Sequence, residues 1–257
     1  MIKNYVKNLE LNLKLKIMKI IFILILSIAS IPNCLCQTAE EYNKSGREKY
    51  DKELGSFTAD FTEAIGDLNK AISMKPDYAE AYKNRGLVKM QWDFKGAISD
   101  YSKALGINSK DDNAYLSRGF CKLMLKDFKG AITDQTKAIE INSNNGDAYR
   151  NRGLAKEGIF DYSGAISDYS NSIKIDSNSA DSYNNRGAVR KKPKDYTGAI
   201  KDFNKAIEID PENVYAYYNR GIAECIIGRT ESGCSDLTKA SGMNHLDAYY
   251  AIQKYCK

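Results

Sequence analysis

The amino-acid sequence predicts an all-α solenoid built from stacked pairs of antiparallel helices. Its first indication is self-similarity, because Asn-Arg-Gly or Ser-Arg-Gly recurs with a period of 34 residues that only one copy shortens, by a single residue. A second indication is that each period contains two segments with apolar residues at helical spacing. One such unit cannot bury its apolar face alone, so a period of this length indicates units that stack and cover one another.

The unit at residues 182–215 shows how the two helices are encoded. Tyr183 and Gly187 lie at helical spacing in the first segment, and Pro193 closes it because proline lacks the amide hydrogen of an interior helical turn. Asp195 then occupies the position of an N-cap. The second segment carries an apolar stripe at Ala199, Ile200, Phe203, Ala206 and Ile207.

About six units and a final helix account for the chain after its leader. The units are expected at residues 39–78, 79–111, 112–145, 146–179, 180–213 and 214–246, with a capping helix at 247–257. In the first unit six extra residues lie around 52–59. We expect them to lengthen both helices of that unit toward a turn at Leu54-Gly55-Ser56.

The repeated residues resemble those of the tetratricopeptide repeat (TPR) family, in particular exported bacterial members. The family pattern has an aromatic residue and a glycine in the first helix, then a small residue, an aromatic, an alanine and a closing proline, which here are Tyr183, Gly187, Ala199, Phe203, Ala206 and Pro211. Departures include Gln135 for an aromatic, Ser172 for an alanine and Gly233 for the small residue. The resemblance implies a right-handed superhelix over residues 37–257, with the first helices lining a concave groove.

Residues 1–36 are predicted to be a signal peptide. Lysines precede an apolar segment from Ile20 to Ile31, which has the length of a signal-peptide core and is short for a membrane span. Met18 is an alternative start. Cleavage after Cys36 predicts an exported protein, periplasmic or secreted. Anchoring by a lipid or by an uncleaved leader stays open, and the leader is the only expected contact with a membrane.

Charge argues against nucleic acid as the main partner. Lys and Arg number 38 against 33 Asp and Glu, but the leader holds five lysines and one glutamate, which leaves 33 basic against 32 acidic residues. A surface that follows phosphates needs a cationic stripe on the folded part.

If the chain is exported, its cysteines can form disulfides, because the compartments outside the cytoplasm are oxidising. Cys234 and Cys256 are the candidate disulfide, which would hold the capping helix. The alternative is that Cys225, Cys234 and Cys256 are reduced thiols packed as apolar side chains. No metal site is predicted, since the single histidine, His245, lies in a turn.

Ion pairs are predicted within each helix pair. An arginine precedes each repeated glycine, and an aspartate follows 15 or 16 residues later on the second helix. The predicted pairs are Arg85 with Asp100, Arg118 with Asp134, Arg152 with Asp168, Arg186 with Asp202, and Arg220 with Asp236. In the first unit, Ser45 replaces the arginine and Asp67 is kept. We assign these pairs a structural role.

Family resemblance places the residue two before each glycine in the concave groove. These residues are Asn84, Ser117, Asn151, Asn185 and Asn219. A carboxamide offers one donor group and one acceptor, so such a row can hold the peptide groups of an extended chain. Beside the row stand cations, Lys83, Arg150, Lys191 and Lys192, and apolar residues, Leu87, Phe120, Leu154 and Ile222. Together they predict an extended protein or peptide ligand with acidic and apolar side chains.

The sequence favours a non-catalytic interaction scaffold of the cell envelope or extracellular space. No glycine-rich phosphate loop, serine elbow or paired metal-ligand motif occurs, so no catalytic residue, cofactor or metal is assigned. Two alternatives remain: a structural subunit of an envelope assembly that acts through its convex face, and a solenoid that binds glycan.

Overall fold

The computed structural model describes residues 38–56 and 59–256, and the signal peptide predicted at residues 1–36 lies outside this part. Over the described residues the chain forms thirteen α-helices and no strand, which confirms the all-α prediction. The helices are α1 (Ala39–Glu53), α2 (Thr62–Met74), α3 (Ala79–Lys89), α4 (Phe94–Ile107), α5 (Asp112–Met124), α6 (Phe128–Ile141), α7 (Gly146–Gly158), α8 (Tyr162–Ile175), α9 (Ala180–Arg190), α10 (Tyr196–Ile209), α11 (Val214–Ile226), α12 (Thr230–Gly242) and α13 (Leu246–Tyr255).

Consecutive helices pack in pairs, and the pairs stack into a solenoid. Helices α1 to α12 form six pairs, and each second helix also packs on the first helix of the next pair. First helices contact one another across units: α5 contacts α7, and α7 contacts α9. Second helices make no comparable contacts within the described residues. The first helices therefore lie on the inner, more tightly curved side of the stack.

In each helix pair, a glycine on the first helix packs against a large side chain on the second helix. Gly153 faces the ring of Tyr169 and Gly187 faces that of Phe203, and an added Cβ on either glycine would stand 2.8 or 2.7 Å from that ring. Both rings are completely buried. Where Gln135 replaces the aromatic residue, its amide nitrogen donates to the Leu116 carbonyl and so remains bonded inside the core.

Helix ends are capped as the repeat predicts. Asp93, Asp127, Asp161 and Asp195 each accept a hydrogen bond from the backbone amide of a glycine three residues later. Three of these caps follow a residue with positive φ, namely Lys126, Phe160 and Lys194. The turn before Asp93 lacks that residue, and this is where the second unit is one residue shorter than the others.

The first unit differs from the expectation that both of its helices lengthen. Helix α1 has 15 residues, whereas α2 has 13 and is no longer than the second helices of other units. The chain leaves α1 at Leu54-Gly55, where Gly55 has a φ of 89°. Helix α2 begins only after Asp60, whose carboxylate accepts from the Thr62 amide. The insertion therefore lengthens α1 and the loop, and the prediction for the second helix was wrong.

The C-terminal helix closes the stack. Helix α13 packs on α12 and α11, with Ala248 and Ala251 buried against them. His245 precedes α13 and stacks on Tyr218 with ring centroids 4.4 Å apart. Among residues 38–56 and 59–256, no helix combines the length and the apolar character needed to cross a bilayer.

Candidate functional site

We call the arginines that precede the repeated glycines the arginine row. Each of them forms a bidentate ion pair with the aspartate on the second helix of its unit. In the fourth unit, Arg152 donates from Nε and Nη2 to the two carboxylate oxygens of Asp168, at 2.9 and 2.7 Å. The same two bonds join each of the other pairs, Arg85 with Asp100, Arg118 with Asp134, Arg186 with Asp202, and Arg220 with Asp236. Ser45 donates to Asp67 at 2.8 Å in the first unit.

Each arginine also reaches the preceding unit, which the sequence analysis did not anticipate. The third guanidinium nitrogen of Arg152 donates to Thr136 on α6, and that of Arg186 donates to Ser170 on α8. The guanidinium of Arg152 lies 5.4 Å from the ring centroid of Tyr149. The arginine row therefore joins neighbouring units as well as the two helices of one pair.

A second cation contacts most of these aspartates. Lys156 lies 2.9 Å from Asp168, and the corresponding cations of other units are Lys49, Lys89, Lys122 and Arg190. The signal was present in the sequence, since a lysine or arginine follows each of the first four repeated arginines by four residues. In the last unit Glu224 occupies that position and instead accepts a hydrogen bond from Ser232.

We call the predicted groove positions Asn84, Ser117, Asn151, Asn185 and Asn219 the carboxamide row. Only part of this row is available to a ligand. Asn84 is buried and donates to Asn43 of the preceding first helix at 2.9 Å. Asn219 donates to Asn184 and accepts from Lys191 Nζ at 2.7 Å. Ser117 lies beside the Tyr101 hydroxyl. These three positions are engaged in contacts between units.

Asn151 and Asn185 remain uncommitted. They lie on the consecutive first helices α7 and α9, and neither side chain makes a hydrogen bond within the part of the chain that the structure describes. Asn151 is buried, with 6% of its surface exposed, and Asn185 is partly exposed. These two carboxamides are the members of the row whose donor and acceptor groups are left for a ligand.

The predicted groove cations divide into engaged and available ones. Lys83 lies 2.8 Å from both Glu80 and Asp111, and Arg150 pairs with Asp147 on its own helix. Lys192 is exposed. Available positive charge in this part of the groove therefore centres on the turn that follows α9.

The apolar groove residues also divide. Leu87 and Leu154 pack against the core of their units. Phe120 and Ile222 are partly exposed and belong to no core cluster in residues 38–56 and 59–256. Apolar contact surface is thus left on α5 and α11, on either side of the two free carboxamides.

A charged cluster lies between the fourth and sixth units; we call Glu157, Lys191, Lys192 and Asn219 the acid–lysine cluster. Burial raises the pKa of Glu157, against the opposing charges of Lys192 and Lys191. Burial, and then the charge of Lys192, lowers the pKa of Lys191 to about 8, although Glu157 acts in the other direction. These directions follow from the cost of holding a charge away from water.

Tyr169 adds an unsatisfied group to this region. Its hydroxyl is buried and makes no hydrogen bond of good geometry in the described chain, although the Glu157 carboxylate lies close to it. Burial and the nearby charge of Glu157 both raise the pKa of Tyr169. The nearby carboxylate of Asp161 accepts a hydrogen bond from the Gly164 amide and serves as the N-cap of α8.

The structure brings three cysteines together. Cys234 on α12 and Cys256 after α13 form a disulfide across 22 residues of sequence. Cys225 on α11 is a free thiol, and its sulfur lies within 4.8 Å of the other two. Their positions in the sequence group these cysteines near the C-terminus but do not predict that the third sulfur lies beside the disulfide.

Comparisons with known proteins agree with this architecture. A sequence model of the TPR repeat matches residues 194–223. A search of curated proteins found no match.

Solved structures of TPR proteins align with most of the chain. The structure of MamA is 25% identical, covers 65% of this chain and 95% of its own, and has a TM-score of 0.58. YrrB, described as a TPR protein with an unusual peptide-binding site, is 22% identical over 72% of this chain and 97% of its own, with a TM-score of 0.59.

A third structure, PilF from Pseudomonas aeruginosa, is 15% identical, covers 84% of this chain and 98% of its own, and has a TM-score of 0.72. At such identities the likeness bears on the fold. Together with the matched repeat and the stacked helix pairs, it supports a solenoid fold of the tetratricopeptide repeat type.

Proposed function

We propose that this protein is a non-catalytic interaction scaffold that binds an extended peptide segment along its inner face. The observation that carries the proposal is the pair of uncommitted carboxamides, Asn151 and Asn185, on neighbouring first helices. Each can donate to and accept from one peptide group, so two of them one unit apart suit an extended backbone. The TPR match and the peptide-binding site described for YrrB support a role in protein interaction.

The ligand we propose carries acidic and apolar side chains. Lys191 and the exposed Lys192 supply positive charge on one side of the free carboxamides. Phe120 and Ile222 supply partly exposed apolar surface. Because these groups occupy α5, α9 and α11, the binding segment spans the third to sixth units.

We further propose that the protein acts outside the cytoplasm, in the periplasm or after secretion. The support is the lysine-flanked apolar leader of residues 1–36 and a disulfide near the C-terminus. N-terminal sequencing of the protein from its source cell distinguishes cleavage before Gln37 from retention as an anchor.

Replacing both Asn151 and Asn185 with alanine is expected to weaken peptide binding by about tenfold or more, since each lost hydrogen bond contributes about 1 kcal/mol. Peptides selected from a displayed random library against the wild-type chain serve as probes, and fluorescence anisotropy measures their dissociation constants. The matched control is Asn171→Ala on α8, because Asn171 also makes no hydrogen bond among the described residues but lies on a second helix.

Equal affinity of the double variant and the control would contradict groove binding. Binding would then be sought on the outer side, where Ile107, Ile141 and Ile175 form a row of half-exposed residues at the ends of second helices. That outcome would favour the structural-subunit alternative.

Binding of an acidic peptide is expected to weaken as the pH rises through about 8, because Lys191 loses its proton there in the free protein. A ligand carboxylate favours the charged lysine, so affinity is highest below that pKa and falls above it. The variant Lys191→Arg keeps its charge and should remove most of this dependence. Anisotropy titrations between about pH 6 and about pH 9 make the comparison, and an unchanged profile in the variant would exclude Lys191 as the titrating group.

A further inference from the structure

Three sulfur atoms from three separate helices meet at the C-terminal end of the solenoid. Cys225 lies on α11, Cys234 on α12, and Cys256 directly after α13. Their sulfurs all lie within 4.8 Å of one another, and each cysteine is partly accessible to solvent. We call Cys225, Cys234 and Cys256 the three-cysteine cluster.

Local packing holds the third sulfur in this position. Gly233 is buried directly beside Cys225, and a Cβ on that glycine would stand 2.5 Å from the Cys225 sulfur. Any larger residue at position 233 would have to displace the thiol and also the α11 backbone, since the same Cβ would stand 2.7 Å from the Gly221 carbonyl oxygen. The glycine that departs from the repeat pattern therefore leaves room for Cys225 next to the disulfide.

The donor set indicates which ions could bind when the disulfide is reduced. Thiolates are soft ligands that select Cu(I), Zn(II) and similar ions. Three sulfurs at a metal–sulfur distance of about 2.3 Å surround an ion with sulfur-to-sulfur distances of about 4 Å. The Cys225 sulfur already lies within 4.8 Å of the other two, and the bonded Cys234 and Cys256 sulfurs must move apart after reduction. Zn(II) takes a fourth ligand, commonly histidine or carboxylate, and neither type belongs to the group in the described residues.

His245 is not part of this group of side chains. Its ring stacks on Tyr218 and lies edge-on to Tyr215. A set of three thiolates with no further protein donor suits a three-coordinate Cu(I) ion better than Zn(II).

We propose that the reduced three-cysteine cluster binds one soft thiophilic cation, and that Cu(I) fits it best. A dithiol reductant first transfers two electrons to the Cys234–Cys256 disulfide, is itself oxidised to a disulfide, and leaves two thiols. Binding then replaces the three thiol protons with the ion, and the protons are released to solvent. In the oxidised protein Cys225 alone remains a ligand, so the disulfide and the bound ion exclude one another.

Anaerobic titration with Cu(I) against a chromophoric Cu(I) chelator tests the proposal. The protein is the full-length chain with Cys34→Ala and Cys36→Ala, so that leader thiols do not contribute. We expect one Cu(I) per reduced chain, and an affinity about a hundredfold lower for the oxidised chain and for Cys225→Ala. Cys121→Ala is the control, because Cys121 is a buried free thiol in another unit and its removal should leave the affinity unchanged.

A second measurement counts the ligands without relying on affinity. Titration with Cd(II) should give the charge-transfer absorption of three thiolates in the reduced chain and of two in Cys225→Ala. An absorption of two thiolates in both chains, or equal Cu(I) affinity with and without Cys225, would overturn the three-sulfur site. Tighter binding of Zn(II) than of Cu(I) would overturn the choice of ion.

Discussion

Replacing Asp168 with alanine is expected to destabilise the solenoid by about 3 to 5 kcal/mol, the range for breaking a buried ion pair by removing one partner. The Asp168 side chain is 2% exposed and contacts both Arg152 and Lys156. Without it, two cations would remain partly buried with no opposite charge, and the arginine would lose its bidentate anchor. The loss should weaken the junction between the third and fourth units, because Arg152 also donates to Thr136.

The matched control is Glu140→Ala, which removes a carboxylate whose contact with Lys137 is made by two half-exposed side chains. Its expected cost is about 0.5 kcal/mol or less, since exposed pairs contribute little. Urea unfolding followed by circular dichroism measures both variants, and hydrogen exchange locates the loosened units. If both variants lower the free energy of unfolding by a similar small amount, the Arg152–Asp168 contact does not stabilise the solenoid.

Replacing Cys234 and Cys256 together with alanine is expected to cost about 3 kcal/mol, which is the chain-entropy value for a loop of this size. The disulfide closes a 22-residue separation and fixes the last helix to α12. Only one neighbouring unit covers a terminal helix, so α13 should fray first. Amide protection is expected to fall in α12 and α13 and to persist in α3 to α8.

Cys225→Ala is the control for this pair, because it removes one thiol of the same cluster and keeps the disulfide. Hydrogen exchange with mass spectrometry, on oxidised protein, compares the variants segment by segment. Unchanged protection of α13 in the double variant would show that packing alone holds the capping helix.

The arginine row illustrates which contacts could be predicted from the sequence. Arginine and aspartate recur at a constant separation, and two helices of one pair lie side by side, so the partners of Arg152 and Arg186 followed from spacing. Their bonds to Thr136 and Ser170 did not, although these residues also stand at a constant separation of 16. Serine, threonine and asparagine alternate at that position, which conceals the pattern, and the contact depends on how closely two units stack.

The contacts of the inner face, too, could be predicted from the sequence only in part. Family resemblance treated all five positions of the carboxamide row alike, yet Asn84 and Asn219 bond to neighbouring units while Asn151 and Asn185 do not. The difference lies in residues 35 to 41 positions earlier, where Asn43 and Asn184 happen to offer partners. A single-unit pattern carries no information about such partners.

The sequence by itself determined the helix pairs, their order and their caps, because apolar spacing, N-cap aspartates and the small-against-large pairing act within one unit of 34 residues. Only the tertiary structure decided which carboxamides stay free, how burial and then the charge of Lys192 lower the pKa of Lys191, and that Cys225 lies beside the disulfide. The physical reason is the same in each case. These properties depend on distances and burial between side chains of different units and on the available room, which stacking sets and local periodicity does not.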